Sequence, residues 1–249
     1  MSFSVARPSR GASTSKNGAL AASEHRVRNG VVRREKTRRR LLKAAISVFA
    51  EKGIDTPSID DFIQAAGVAR GTFYNYFSTT RELLDAVTAE VSNVVVSGIE
   101  AAVSPIQNPL ERLSCAALLY MHLGVDLPDW GAFVMHTGMR NEAVGKMVDV
   151  YLPRDLELAR RAGDVSYPSV RAARDLLFAS VNQAVISVNS GAEKREHLRH
   201  MLVLILCAVG VNSDTAESLS RMELPTVDLD IELFGQPSRE GKRLGSLAA

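Results

Sequence analysis

Five hydrogen-bonding side chains, Arg70, Thr72, Tyr74, Asn75 and Tyr76, fall within seven positions of the segment "RGTFYNY". Around them, "ARGTFYNYF" at 69–77 also puts Phe73, Tyr74, Tyr76 and Phe77 within five positions, in a chain only 6% aromatic. A core helix has no use for adjacent tyrosines beside an arginine, a glycine and an asparagine. Stepping at 100° per residue places Ala69, Phe73 and Phe77 on one side of a helix and Gly71 and Asn75 on the other. Arg70 and Tyr74 flank one edge of that outer face, Thr72 and Tyr76 the other. By this count neither tyrosine is a core residue. Such a face suits the DNA major groove. Arginine pairs with guanine O6 and N7, asparagine with adenine N6 and N7, and threonine with a base edge or a thymine methyl. Tyrosine hydroxyls at the edges reach phosphates, which position without reading sequence. Gly71 has no side chain to hold the helix off the bases.

Such a face needs a rigid mount, and the flanking residues spell one. Leu42, Ala45, Ile46 and Phe49 recur at helical spacing from about Arg34, and Gly53 ends that element. Ser58, with Asp61 three residues on, predicts the start of a second helix running to Ala66. Gly67 supplies the left-handed residue after it. The third helix, about 69–77, follows after two residues, so the pair forms a helix-turn-helix. Thr79 with Glu82 predicts the cap of a long fourth helix, "ELLDAVTAEVSNVVVSGIEAAV".

The rest of the 249 residues limits the class. Hydrophobic residues at 46% and charged residues at 23% describe an ordinary globular chain with enough apolar surface for a real core. Net charge is +2, but residues 1–40 hold about eleven Lys/Arg against two Glu, a balance of about +9. That asymmetry points to a polyanion touched at one end. Cys115 and Cys207, far apart and among apolar neighbours, predict a reducing compartment and two buried thiols. No run reaches the roughly 18 uncharged apolar residues of a membrane span. The Ser/Arg-rich start has the composition of either a transit peptide or a disordered arm. Beyond Pro105 and Pro109 every strong segment has helical period, so the fold class is all-α. No nucleophile–base spacing, phosphate loop or metal cluster occurs, so an enzyme, a cofactor and a metal site are not expected.

Residues 37–91, "TRRRLLKAAISVFAEKGIDTPSIDDFIQAAGVARGTFYNYFSTTRELLDAV" with its flanks, closely resemble the DNA-binding domain of the TetR/AcrR family of bacterial transcriptional regulators. The family pattern falls on Arg39–Lys43, Ala45–Phe49, Gly53, Ser58–Ile63, Ala66–Val68, Gly71–Tyr74, Tyr76–Phe77 and Leu83–Leu84. Three positions depart from it. Phe62-Ile63 stands where the family has Ile-Ala, Ala69 where a Ser or Thr caps the recognition helix, and Thr80 where a lysine opens the fourth helix, with Arg81 beside it. The resemblance implies base reading by Arg70, Gly71 and Thr72, joined on the helical wheel by Asn75. It implies phosphate contacts from Tyr74, Tyr76, Thr80 or Arg81, and Ser58, with Arg38 leading in from the basic segment. It also favours the arm over the transit peptide.

The expected organisation is a disordered basic arm at 1–33, a helix-turn-helix domain at 34–84, a helical effector-binding and dimerisation domain at 85–223, and an irregular tail at 224–249. The resemblance implies a homodimer on a near-palindromic double-stranded operator, pairing its last long helices, at 168–190 and 195–211. It implies repression relieved by a small-molecule effector, in the cytoplasm with the nucleoid and away from membranes. Control by a protein partner, or without any small ligand, stays open. Candidate effector contacts are Tyr120, Trp130, Phe133, His136, Phe178 and Asn182. Asn182 interrupts an apolar helix, where an unpaired amide is costly, so it bonds a ligand, a neighbour or a partner subunit.

Overall fold

The computed structural model describes residues 14–127, 131 and 147–229. Among these the chain is helical. The elements are α1 (Thr14–Lys52), α2 (Ile59–Ala66), α3 (Arg70–Tyr74), α4 (Thr80–Val103), α5 (Pro109–Asp126), a π-helical turn (Met147–Tyr151), α6 (Leu152–Ala162), α7 (Val170–Asn189), α8 (His197–Ala208) and α9 (Ser213–Ser220). Two compact units divide within α1, between Arg40 and Leu41.

The N-terminal unit differs from the irregular arm expected through residue 33, because α1 continues back to Thr14. Residues 14–33 carry no proline, and their three alanines and three arginines favour helix locally, against two glycines. Within this unit Val31 and Val32 are more than 60% exposed, and Arg38 pairs with Glu35 one turn earlier at 3.8 Å.

In the second unit, Leu41, Leu42, Ile46 and Phe49 of α1 bury against Phe62 of α2, with the Phe49 and Phe62 rings 4.9 Å apart. Phe73, Phe77, Leu83 and Leu84 complete this part of the core, so the two phenylalanines of the opening segment anchor it as the wheel predicts. The same core continues along α4 through Val91, Val95 and Ile99 into α5, α7 and α8. By length and composition α4 could cross a bilayer, but its apolar stripe is spent on this packing.

The body follows the predicted helices with shifts at their ends. Asn108 and Pro109 start α5, the asparagine accepting from the backbone N–H of Leu110 and Glu111. Pro153 sits in the first turn of α6, where its missing N–H costs nothing. Asn212 caps α9 by accepting from the Thr215 N–H at 2.9 Å. Cys115 is buried as expected, whereas Cys207 is exposed, because it shares the outward side of α8 with Leu204, itself 64% exposed. Residues 224–229 are irregular, as expected for the start of the tail, and packed down. Val227 and Leu229 are buried across Gly98 of α4, where an added Cβ would stand 2.5 Å from Leu229.

Candidate nucleic-acid interface

The turn between α2 and α3 is built by backbone geometry. Gly67 adopts φ 57°, ψ 44°, and its N–H donates to Gln64 O while that of Val68 donates to Ile63 O, the paired bonds that close a helix C-terminus. At the other end of α2 the Asp61 carboxylate accepts from both the backbone N–H and the hydroxyl of Ser58, each at 2.8 Å. Its second oxygen holds Lys52 Nζ, at the end of α1, at 2.7 Å. The Lys52 bond and the two Ser58 bonds lower the Asp61 pKa from 3.8 to about 2. Asp61 therefore ties together the end of α1 and the start of α2. Ser58 remains exposed at the head of α2 with its hydroxyl engaged.

The recognition helix is shorter than the predicted 69–77. Its regular part is Arg70–Tyr74, and one further turn is held by Phe77 N–H donating to Phe73 O at 3.0 Å. Ala69 stands at the N-cap with extended backbone and no side-chain bond to offer. Arg70, Gly71, Tyr74 and Asn75 are exposed together, Tyr74 at 48%. Thr72 is half-buried. Tyr76 is half-buried too and packs against the core, contrary to the wheel. The helix relaxes after Tyr74, so the 100° step no longer places residue 76. Nothing lies within 4 Å of a Cβ built on Gly71. Neither packing nor a left-handed backbone demands glycine there.

Arg70 carries a contact that local sequence reasoning missed. Its Nη2 donates to both oxygens of Asp60 on α2, at 2.5 and 2.7 Å. Hydrogen bonding to Asp60, then its charge, raises the Arg70 pKa further. Both side chains are well exposed, so DNA can compete for the guanidinium at little cost. Arg81 likewise holds Asp85 one turn along α4, at 3.1 Å. Thr79 accepts from Glu82 N–H at 3.0 Å, and Glu82 returns a bond to Ser78 rather than to Thr79, which starts α4 beside the recognition helix. Thr80 is half-buried at this start. Arg38 lies in the N-terminal unit, a third exposed.

In the body a cavity of about 50 Å³ lies between α4, α5, α6 and α7. Ile99, Leu113, Leu152, Leu177 and Phe178 are among its apolar walls, and Glu100, Tyr151 and Asp155 supply the polar edge. Asp155 is buried and takes Arg112 Nη2 at 2.7 Å and Arg154 Nε at 2.8 Å. Arg154 also donates to Glu100 at 2.7 Å, so one guanidinium joins α6 to α4. Of the expected effector contacts, Phe178 lines this cavity. Tyr120 and Asn182 are not among its walls. The Tyr120 hydroxyl donates to Asn182 Oδ1 at 2.9 Å, and Asn182 Nδ2 donates to Phe178 O at 2.7 Å. Burial pushes the Tyr120 phenol well above its ordinary pKa. Trp130, Phe133 and His136 lie outside the described residues.

A tight glycine turn between two short helices, an exposed groove face on the second, and a helical body define a helix-turn-helix protein. Residues 41–87 match the family description "Bacterial regulatory proteins, tetR family", so this domain is of that family. It is 50% identical over 48 residues to an uncharacterized HTH-type transcriptional regulator, YvdT of Bacillus subtilis, covering 19% of this chain and 25% of that one. It is 30% identical over 73 residues to the HTH-type transcriptional repressor KstR2 of Mycobacterium tuberculosis, covering 29% and 36%. These matches thus span about a quarter to a third of the curated relatives' length. The fold extends further. The structure of RolR in complex with resorcinol superimposes with a TM-score of 0.67 at 23% identity, over 80% of this chain and all of the other. FadR from Bacillus subtilis in complex with stearoyl-CoA gives 0.57 at 19% identity, over 69% and 97%.

Proposed function

We propose that the chain is a homodimeric transcriptional repressor, a regulator with no catalytic step, that leaves its operator when a small molecule occupies the cavity in its body. The observation that carries this reading is α4. It starts at the Thr79 cap beside the recognition helix and runs unbroken to Val103, and its Val96, Ile99 and Glu100 form a wall of the cavity. A ligand that prefers one position of α4 changes the population of DNA-competent heads.

Arg70, Thr72 and Asn75 read base edges, Gly71 allows close approach, and Tyr74, Tyr76, Thr80 and Arg81 hold phosphates with Ser58. Arg38 and the basic residues before it follow the DNA backbone. A two-fold dimer through α7 and α8 would cover Leu176 and Leu204, exposed at 42% and 64%. It would set two heads roughly 34–36 Å apart, one turn of DNA. The direct test is selection of DNA from a random duplex pool by the full chain, followed by footprinting. The expected product is a near-palindrome whose half-sites lie one helical turn apart. A bound site without dyad symmetry would refute the dimeric reading. Deleting residues 1–34 should weaken binding and reduce the slope of log K against log salt, and an unchanged slope would remove the arm from the interface.

A further inference from the structure

We propose that the cavity, which at about 50 Å³ must widen to admit an organic ligand, selects small apolar molecules bearing a hydroxyl or amine hydrogen-bond donor and rejects their carboxylates. This rests on the reading of the cavity as the effector site and concerns the chemistry it accepts. The walls are aliphatic or aromatic apart from Glu100, Asp155 and Tyr151. Among the described residues, the two charged wall residues are therefore both acceptors. Their cations, Arg112 and Arg154, are not among the wall residues.

The acceptors are not saturated. Asp155 Oδ1 takes three donors, from Arg112 at 2.7 and 3.1 Å and from Arg154 at 2.8 Å. Its Oδ2 takes a longer bond from Arg154 at 3.1 Å. Glu100 Oε1 and Oε2 accept from Arg154 at 2.7 and 3.2 Å. A carboxylate offers about four acceptor positions, so Glu100 and Asp155 Oδ2 can each take another donor. An O–H or N–H at the end of an apolar ligand completes them. A ligand carboxylate would instead be desolvated beside two carboxylates that already engage Arg112 and Arg154, with no cation among the described wall residues left to pair with it. A donor bonded to Glu100 also competes with Arg154, the side chain that joins α6 to α4.

The test uses the full chain and four matched probes, 4-ethylphenol, 4-ethylbenzylamine, 4-ethylbenzoate and ethylbenzene, with thermal unfolding as readout. The phenol and the amine should raise Tm by roughly 3–6 °C at ten times their Kd. The benzoate should give no shift at those concentrations. In Glu100→Gln the amine should lose about tenfold in affinity while the phenol binds the remaining amide oxygen. Benzoate binding as tightly as the phenol to the wild-type chain overturns the proposal without any variant. Equal shifts from all four probes overturn the donor preference and leave the cavity a ligand site. No shift from any probe, ethylbenzene included, overturns the cavity as a small-ligand site and the proposal with it.

Discussion

Replacing Gly71 with alanine separates what the fold needs from what DNA contact needs. Glycine inside a helix is less favourable than alanine by about 1 kcal/mol. A Cβ at 71 meets nothing within 4 Å, so no steric term offsets that gain. Gly71→Ala should therefore stabilise the chain by up to about 1 kcal/mol, raising Tm by about 2–4 °C for a chain of this size. The DNA side runs the other way. The new carbon stands about 1.5 Å beyond the Cα on the groove face. Backing the helix off by that distance takes a bond of about 2.9 Å past the limit of hydrogen bonding. Losing one bidentate base contact corresponds to about 5–150-fold in affinity. Differential scanning fluorimetry and fluorescence anisotropy, on a duplex selected by the wild-type chain, measure the two effects on one preparation. Gly71→Ala with wild-type affinity would refute the groove-facing assignment. A fall in Tm would show that the glycine serves the fold.

Other outcomes follow from single contacts. Asp60→Asn removes the charge that holds Arg70, so affinity for unrelated duplexes should rise while discrimination between the selected site and a mismatched one narrows, and anisotropy on both duplexes checks it. Arg70→Ala should relax specificity at one position of the half-site, whereas Tyr74→Phe should weaken all duplexes alike. The Asp61 pKa is lowered from 3.8 to about 2 by Lys52 and Ser58, so its stabilisation is present above about pH 4 and lost as pH falls through about 2. The stability gap between the wild type and Asp61→Asn, followed by urea unfolding, should close across that window. Tyr120→Phe leaves buried Asn182 without this donor and should cost about 1–3 kcal/mol by chemical denaturation, with DNA affinity unchanged.

What was legible in the sequence is what short-range chemistry dictates. The helix ends at Ser58, Gly67 and Thr79 depend on residues within a turn of each other, and all three form. Phe73 and Phe77 fall inside because an apolar pair four residues apart has one face to bury. Tyr76 escaped the same count because the helix loosens at Asn75, so its angle is set by the chain leading into α4. The Arg70 pairing with Asp60 crosses a turn and has no periodic signature. Asn182 is satisfied by a tyrosine 62 residues earlier, and Arg112 by an aspartate 43 residues later. Contacts of that range depend on which helix faces become neighbours, and no local pattern records them. The helix before residue 34 was hidden for the opposite reason: its sequence has no apolar period to reveal it.

From Thr80 to Glu100, α4 spans about 30 Å of continuous helix between the DNA-binding head and the cavity. A single rod with two preferred settings cannot carry information in one direction. Whatever factor a bound molecule takes from the affinity for operator, operator must take the same factor from the affinity for that molecule. The regulator would therefore be least sensitive to its effector while seated on DNA. Dose–response curves taken on the free chain should lie to the left of those taken on the complex, and the shift itself measures the coupling.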